Sequence, residues 1–218
     1  MWPPRPKNRI RFVELPRWER KGGWVAQRKF DGTRTLIHIL PNGQVEAWRP
    51  GKQPHLQWKL SVDVAAQIRS LNIELGKEYW LDGELLNNKT SDDHYKNRIV
   101  LFDILQAGWY FFGGPNLMKR QQLLADICRN PVTLESGRGI ALVVTENIWL
   151  AQTFTDHFVD RWNDFISFDE AKKMVYVVNE IEGLVLKQAK SVIEDFGNKE
   201  YEVNWQVRCR KPEKGYDF

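Results

Sequence analysis

The stretch Gln27-Arg28-Lys29-Phe30-Asp31-Gly32-Thr33-Arg34 puts a lysine, a carboxylate, a glycine and an arginine at the end of an alternating apolar run. Residues 24–30 alternate as a half-buried strand does, Asp31-Gly32 is a turn signal, and residues 35–39 read as the next strand. Pro41-Asn42-Gly43-Gln44 carries the Asn-Gly hairpin signature, so residues 45–48 are expected to return antiparallel. This leaves Lys29 beside a rigid meander, with Arg49 emerging at the far end of its third strand. A lysine amine has an ordinary pKa of about 10.4, and freeing its lone pair at neutral pH costs about 4 to 5 kcal/mol. A nucleophilic lysine here therefore requires desolvation or neighbouring cations, and Asp31 acts in the opposite direction. The alternative reading is a tight turn with two solvated basic residues beside it.

The 218 residues suffice for one large domain with a substantial core, and 42% hydrophobic with 28% charged residues is ordinary for a globular chain. Cys128 and Cys209 have neither metal-ligand spacing nor a disulfide framework, so a reducing, cytoplasmic setting is expected. No stretch has the apolar length of a membrane span, and the N-terminus does not read as a secretory leader. A formal charge of +4 favours a polyanionic partner. Residues 1–23 are rich in proline and arginine and are expected to form a basic extended arm packed on the domain, either gripping phosphates or acting as a solvated tether.

Further along, Ser61 is placed to cap a helix whose apolar face is Val64, Ile68 and Leu71. Strand character resumes at Tyr79 around an apparent interruption, Asp82-Gly83-Glu84, whose two acids are expensive to bury without cations. A hairpin edge is the alternative for that triplet. Residues 87–97 read as a polar loop and residues 98–105 as a buried strand. Asn116 is placed to cap a helix reaching about Cys128. Residues 140–145 read as a strand, residues 155–165 have helical periodicity, and residues 169–179 fit either helix or strand. Glu182 and Lys187 bracket a short apolar strand, and alternation puts Arg208 and Arg210 on one face of another.

In order, the chain presents Lys29-Phe30-Asp31-Gly32-Thr33-Arg34, Arg49, Leu81-Asp82-Gly83-Glu84, Leu101-Phe102-Asp103, Glu182-Gly183-Leu184-Val185-Leu186-Lys187 and Arg208-Cys209-Arg210. This series resembles the covalent nucleotidyltransferases: ATP-dependent DNA and RNA ligases and mRNA capping enzymes. The resemblance runs over nearly the whole chain, from before Lys29 to Lys211. It implies an α+β nucleotidyltransferase domain over residues 24–218, built of two antiparallel β-sheets flanked by helices with the nucleotide pocket between them.

It implies also that Lys29 is the nucleophile that becomes adenylylated by ATP, with Mg²⁺ or Mn²⁺. Gln27, Arg28, Arg34, Arg49, Glu84, Phe102, Lys187, Arg208 and Arg210 would then bind the nucleotide, and Glu182 and Glu84 the metal. Phe102 would stack on the purine, and Gln27 would contact the adenine edge, favouring ATP over GTP. The partner implied is nucleic acid, as nicked duplex DNA or RNA ends, served by a monomer without a membrane role. DNA ligase is the leading reading and RNA ligase the alternative. A capping guanylyltransferase or a non-catalytic nucleic-acid-binding module fits less well. The family pattern usually has two lysines where this chain has Arg208 and Arg210, and no C-terminal oligonucleotide-binding barrel is expected before Phe218.

Overall fold

The computed structural model describes residues 2–86, 93–108, 114–129, 131–133, 140–171, 175–176, 178–194 and 199–212. The strands are β1 (Arg5–Ile10), β2 (Trp24–Phe30), β3 (Thr33–Ile39), β4 (Val45–Trp48), β5 (Tyr79–Leu86), β6 (Arg98–Ala107), β7 (Val132–Thr133), β8 (Leu142–Val143), β9 (Ile148–Leu150), β10 (Thr153–Phe154), β11 (Ile166–Ser167), β12 (Val175–Tyr176), β13 (Ile181–Gln188) and β14 (Glu202–Arg210). The helices are α1 (Leu15–Lys21), α2 (Val62–Arg69), α3 (Leu117–Ile127) and α4 (Phe158–Asn163).

Two large sheets result. One has the order β1-β14-β13-β2-β10 and the other β4-β3-β5-β6-β9-β8-β7; β11 and β12 form a small separate ribbon. The fold is α+β, as expected, but the sheets are mixed rather than purely antiparallel. β1 runs parallel to β14 and β6 parallel to β9. Parallel neighbours require a long connection: β6 ends at Ala107 and β9 begins at Ile148, while β1 ends at Ile10 and β14 begins only at Glu202.

Alternation along each strand sorts side chains between two layers. Ile37, Leu81, Leu85, Ile99 and Leu101 of the seven-stranded sheet pack with Val64 and Ile68 of α2 and Leu124 and Ile127 of α3. Ala26, Leu184, Val207 and Cys209 of the five-stranded sheet pack with Leu15 of α1 and Phe158 and Trp162 of α4. The opposite faces of the two sheets look at each other; beside an apolar cluster of Leu36, Trp80, Leu105 and Ile193 they carry charged residues such as Lys29, Glu84, Glu182 and Lys187. The Ser61 hydroxyl accepts from the Val64 amide at 3.2 Å and the Asn116 side chain from the Lys119 amide at 3.0 Å, so both expected helix caps are present.

Asp31-Gly32 does not close a hairpin within one sheet. β2 belongs to the five-stranded sheet and β3 to the seven-stranded one, so this bend carries the chain from one layer to the other. A side chain at residue 32 would meet the Leu85 carbonyl oxygen at 2.4 Å and Glu84 Cγ at 2.9 Å, which requires glycine where the crossing chain presses on β5. Asp82-Gly83-Glu84 interrupts nothing: β5 continues through it, Gly83 being packed against the Val100 carbonyl.

Residues 12–21, expected as part of an extended arm, form a 3-10 turn (Phe12–Glu14) and α1. Glu14 takes the Arg11 amide at 2.9 Å and Leu15 is fully buried, so local capping and burial outweigh the run of charges. The strand expected over residues 140–145 is limited to β8. Much of the polar loop at 87–92, the aromatic stretch at 109–113 and part of the ambiguous segment at 172–174 and 177 lie outside the described residues, although β12 within that segment is a strand. No helix among the described residues is long and apolar enough to cross a membrane.

Candidate active site

A cavity of about 490 Å³ opens between the two large sheets, within the size range of small-molecule sites. Gln27 and Lys29 of β2, Glu182 and Lys187 of β13 and Arg208 and Arg210 of β14 come from one wall. Arg34 of β3, Glu84 of β5 and Phe102 of β6 come from the other, and Arg49 follows β4. Arg28 is in the wall as well. Eleven residues selected from the sequence thus converge on one space.

Lys29 Nζ lies 2.9 Å from Glu182 Oε2, and the Arg210 guanidinium reaches the same oxygen at 2.7 Å. The pairing follows from register, since Lys29 faces Gly183, which faces Arg210 on the third strand. A break in register at Glu182 turns its side chain into the cavity with Lys187 and Val185. Gly183 has φ +145°, and a Cβ there would lie 2.0 Å from the Cys209 carbonyl oxygen. Only glycine lets these three strands approach closely enough to form the triad.

Across the cavity, the Glu84 side-chain carboxyl group has no hydrogen-bond or ion-pair partner among the described residues, although its backbone is held between β3 and β6. Burial pushes its carboxyl up to about 7, against the pull of Lys29 and Arg34 and with further upward pressure from Glu182 and Asp82. Two hard-oxygen donors facing each other across a cavity, one of them without a direct partner, fit a divalent cation that completes its shell with water and phosphate oxygens.

Arg34 is already committed. Its Nε donates to Asp82 Oδ1 at 3.0 Å, its terminal nitrogen to Oδ2 at 2.5 Å, and both terminal nitrogens to the Pro4 carbonyl at 3.2 Å. It braces the seven-stranded sheet to the N-terminal segment. Arg28, with alternation opposite to Gln27 and Lys29, places its guanidinium on Asp164 at 3.0 Å and Gln152 at 3.2 Å, neither of which lines the cavity. Arg49 and Arg208 have no ion-pair partner among the described residues. Lys187 is 4% exposed and 5.0 Å from the centre of the Phe102 ring; burial pushes its amine down to about 8, against the pull of Asp103 and Asp82.

Several supporting residues were not selected from the sequence. Asp103 takes Arg120 in a buried fork, at 2.9 and 3.2 Å, and lies 3.9 Å from Lys187. Burial pushes the Asp103 carboxyl up, but Arg120 and Lys187 outweigh it and hold the group below its usual range. The Gln27 amide nitrogen donates to the Phe102 carbonyl, Gln121 and Thr153, at 3.2, 2.9 and 2.9 Å, which leaves its buried oxygen without a partner among the described residues. Trp2 packs on Gly51, whose φ is +80°, so the N-terminal segment crosses part of the cavity wall. In the sequence Asp103 stands within the Leu101-Phe102-Asp103 series and Arg120 on the helix that follows it, a pattern resembling DNA ligases, but neither residue carried an assigned role there.

No protein-family model and no curated protein matches the chain. Among solved structures it is similar to Pmar-Lig_Pre, at 16% identity and a TM-score of 0.56, covering 94% of this chain and 46% of that one. It is also similar to Pmar-Lig_PreS3, at 14% identity and 0.52, covering 91% and 45%. The ATP-dependent DNA ligase of bacteriophage T7 in complex with ATP aligns at 12% identity and 0.49, covering 93% and 67%. The chain shares its fold with the first two of these structures, and spans less than half the length of each.

Proposed function

We propose that this chain is the adenylating domain of an ATP-dependent polynucleotide ligase, with DNA as its leading substrate. The observation that carries the reading is the lysine, two-glutamate and arginine arrangement around Lys29 in a cavity of nucleotide size. The Lys29 lone pair attacks the α-phosphorus of ATP. A P–N bond forms, the bond to pyrophosphate breaks, and the amine loses a proton. A 5'-phosphate oxygen then displaces Lys29 from the adenylate, restoring the amine. Finally a 3'-hydroxyl attacks that 5'-phosphorus, forming the phosphodiester and expelling AMP.

Charge spreads over phosphate oxygens in each step, and preorganised cations are the protein's largest contribution to such transfers. Arg49, Arg208, Arg210 and Lys187 supply them. Glu84 and Glu182 would hold Mg²⁺ or Mn²⁺, which neutralises phosphate charge when bound. Arg34, forked to Asp82, positions the wall rather than the phosphate. Phe102 offers a ring for the purine. The free acceptor of Gln27 suits an exocyclic amine, which adenine has at the position where guanine has a carbonyl; this supports ATP over GTP and disfavours a capping reaction.

The test is incubation with α-labelled ATP, GTP or NAD and Mg²⁺, followed by a denaturing gel. Label from ATP alone, absent in Lys29→Ala, supports the reading; no label from any nucleotide, or label from GTP alone, overturns it. Offering nicked DNA and nicked RNA to the labelled protein then separates the DNA reading from the RNA one.

A further inference from the structure

We propose that the edge of the five-stranded sheet formed by β1 and β14 is a phosphate track along which a polynucleotide strand reaches the cavity, with Arg9 as its outer contact. The proposal rests on the ligase reading for the occupant, but on independent geometry for the surface. Arg9 and Arg208 are direct register neighbours on parallel strands, so they share a face, and adjacent strands lie about 4.8 Å apart. Arg5, Arg208 and Arg210 line the cavity, whereas the exposed Arg9 does not. Positive charge therefore starts inside the site and continues out of it along the sheet edge.

Carboxylates only partly balance this surface. Arg5 pairs with Glu200 and Arg210 with Glu182, while Arg208 has no ion pair and its Nε is buried without a partner among the described residues. Burial, then Arg9, Arg210 and Arg5, hold the Arg208 guanidinium below the usual arginine range, with Glu202 the acid that opposes them. Like charges held together by strand register are relieved by a polyanion. A mononucleotide seated in the cavity offers Arg9 no phosphate, because Arg9 stands outside the wall; a chain of phosphates does. Contacts of this kind are independent of base sequence and set position rather than specificity.

The probe is a nicked DNA duplex with a 5'-phosphate, its binding to the full chain followed by fluorescence anisotropy between about 50 and 200 mM salt. Arg9→Ala is expected to weaken binding several-fold at the low-salt end and to reduce the slope of log affinity against log salt by about 0.9, the value for one duplex phosphate contact. Arg9→Lys keeps the slope, and Arg69→Ala on the exposed face of α2 behaves as wild type. Self-labelling by ATP and the melting curve are unchanged in Arg9→Ala. The track is overturned if Arg9→Ala binds with the affinity and slope of Arg69→Ala. It is equally overturned if Arg9→Ala loses labelling by ATP while duplex binding persists, which assigns the charge to the triphosphate. A wild-type chain that takes no label yet shows the Arg9-dependent slope supports the track and removes the ligase reading alone.

Discussion

Lys29 and Glu182 form an ion pair between neighbouring strands, Nζ to Oε2 2.9 Å, and Arg210 closes on the same oxygen from the third strand. The amine is thereby held against a carboxylate between neighbouring strands rather than left to rotate at a turn, an orientation that the proposed nucleophilic role requires. The positive charge that completes the pair and the lone pair required for bond formation are different properties of the same group.

Lys29→Arg distinguishes them. Arginine keeps a charge beside Glu182 but offers no nucleophilic amine, so stability is expected to change by under about 1 kcal/mol while labelling by ATP falls at least about a thousand-fold. Urea unfolding and the denaturing-gel assay measure the two effects. Labelling that survives the substitution rules out Lys29 as the site of attachment.

Glu84 makes stability depend on pH. Its carboxyl is pushed up to about 7 from an ordinary 4.5, so the native state holds this proton more tightly than the unfolded chain does. The associated stabilisation is fully present below pH 4.5 and is lost as pH rises through about 7. Glu84→Gln is expected to remove on the order of 2 kcal/mol from the decline in unfolding free energy between about pH 5 and about pH 8. Parallel pH profiles for the two proteins count against this assignment.

The buried Asp103–Arg120 fork predicts a large loss from a single deletion. Arg120 also donates to the carbonyls of Pro115 and Ser191, each at 3.1 Å, so Arg120→Ala strands a buried carboxylate and two acceptors. The expected destabilisation is about 3 to 5 kcal/mol, and pairing Arg120→Met with Asp103→Leu recovers only part of it, because the two carbonyls stay unpaired and buried Lys187 loses its neighbouring carboxylate. Denaturant midpoints of the single and double variants provide the comparison.

Gly183 tests whether strand proximity builds the site. Gly183→Ala places a Cβ 2.0 Å from the Cys209 carbonyl oxygen at φ +145°, and is expected to destabilise by on the order of 3 kcal/mol or more and to abolish labelling. Gly76→Ala, at φ +84° with nothing within 4 Å of the new atom, is expected to cost only about 1 kcal/mol and to leave labelling intact. Similar losses in the two variants, read from thermal melts, argue against a special role for the β13–β14 contact.

Residue order alone determined what depends on near neighbours. The Asn42-Gly43 turn closes β3 onto β4 with Gly43 at φ +80°, and Ser61 and Asn116 cap their helices. Alternation put Arg208 and Arg210 on one face, and both line the cavity. The convergence of eleven separated positions was legible through their resemblance to a known series, not through any local pattern. Only the tertiary structure decided that Asp31-Gly32 crosses between sheets, that Arg28 turns to Asp164, and that Arg34 is bound by Asp82 and the Pro4 carbonyl. The reason is physical: side-chain period is set by bonds between adjacent residues, whereas strand partners and buried ion pairs are set by which distant surfaces exclude water together.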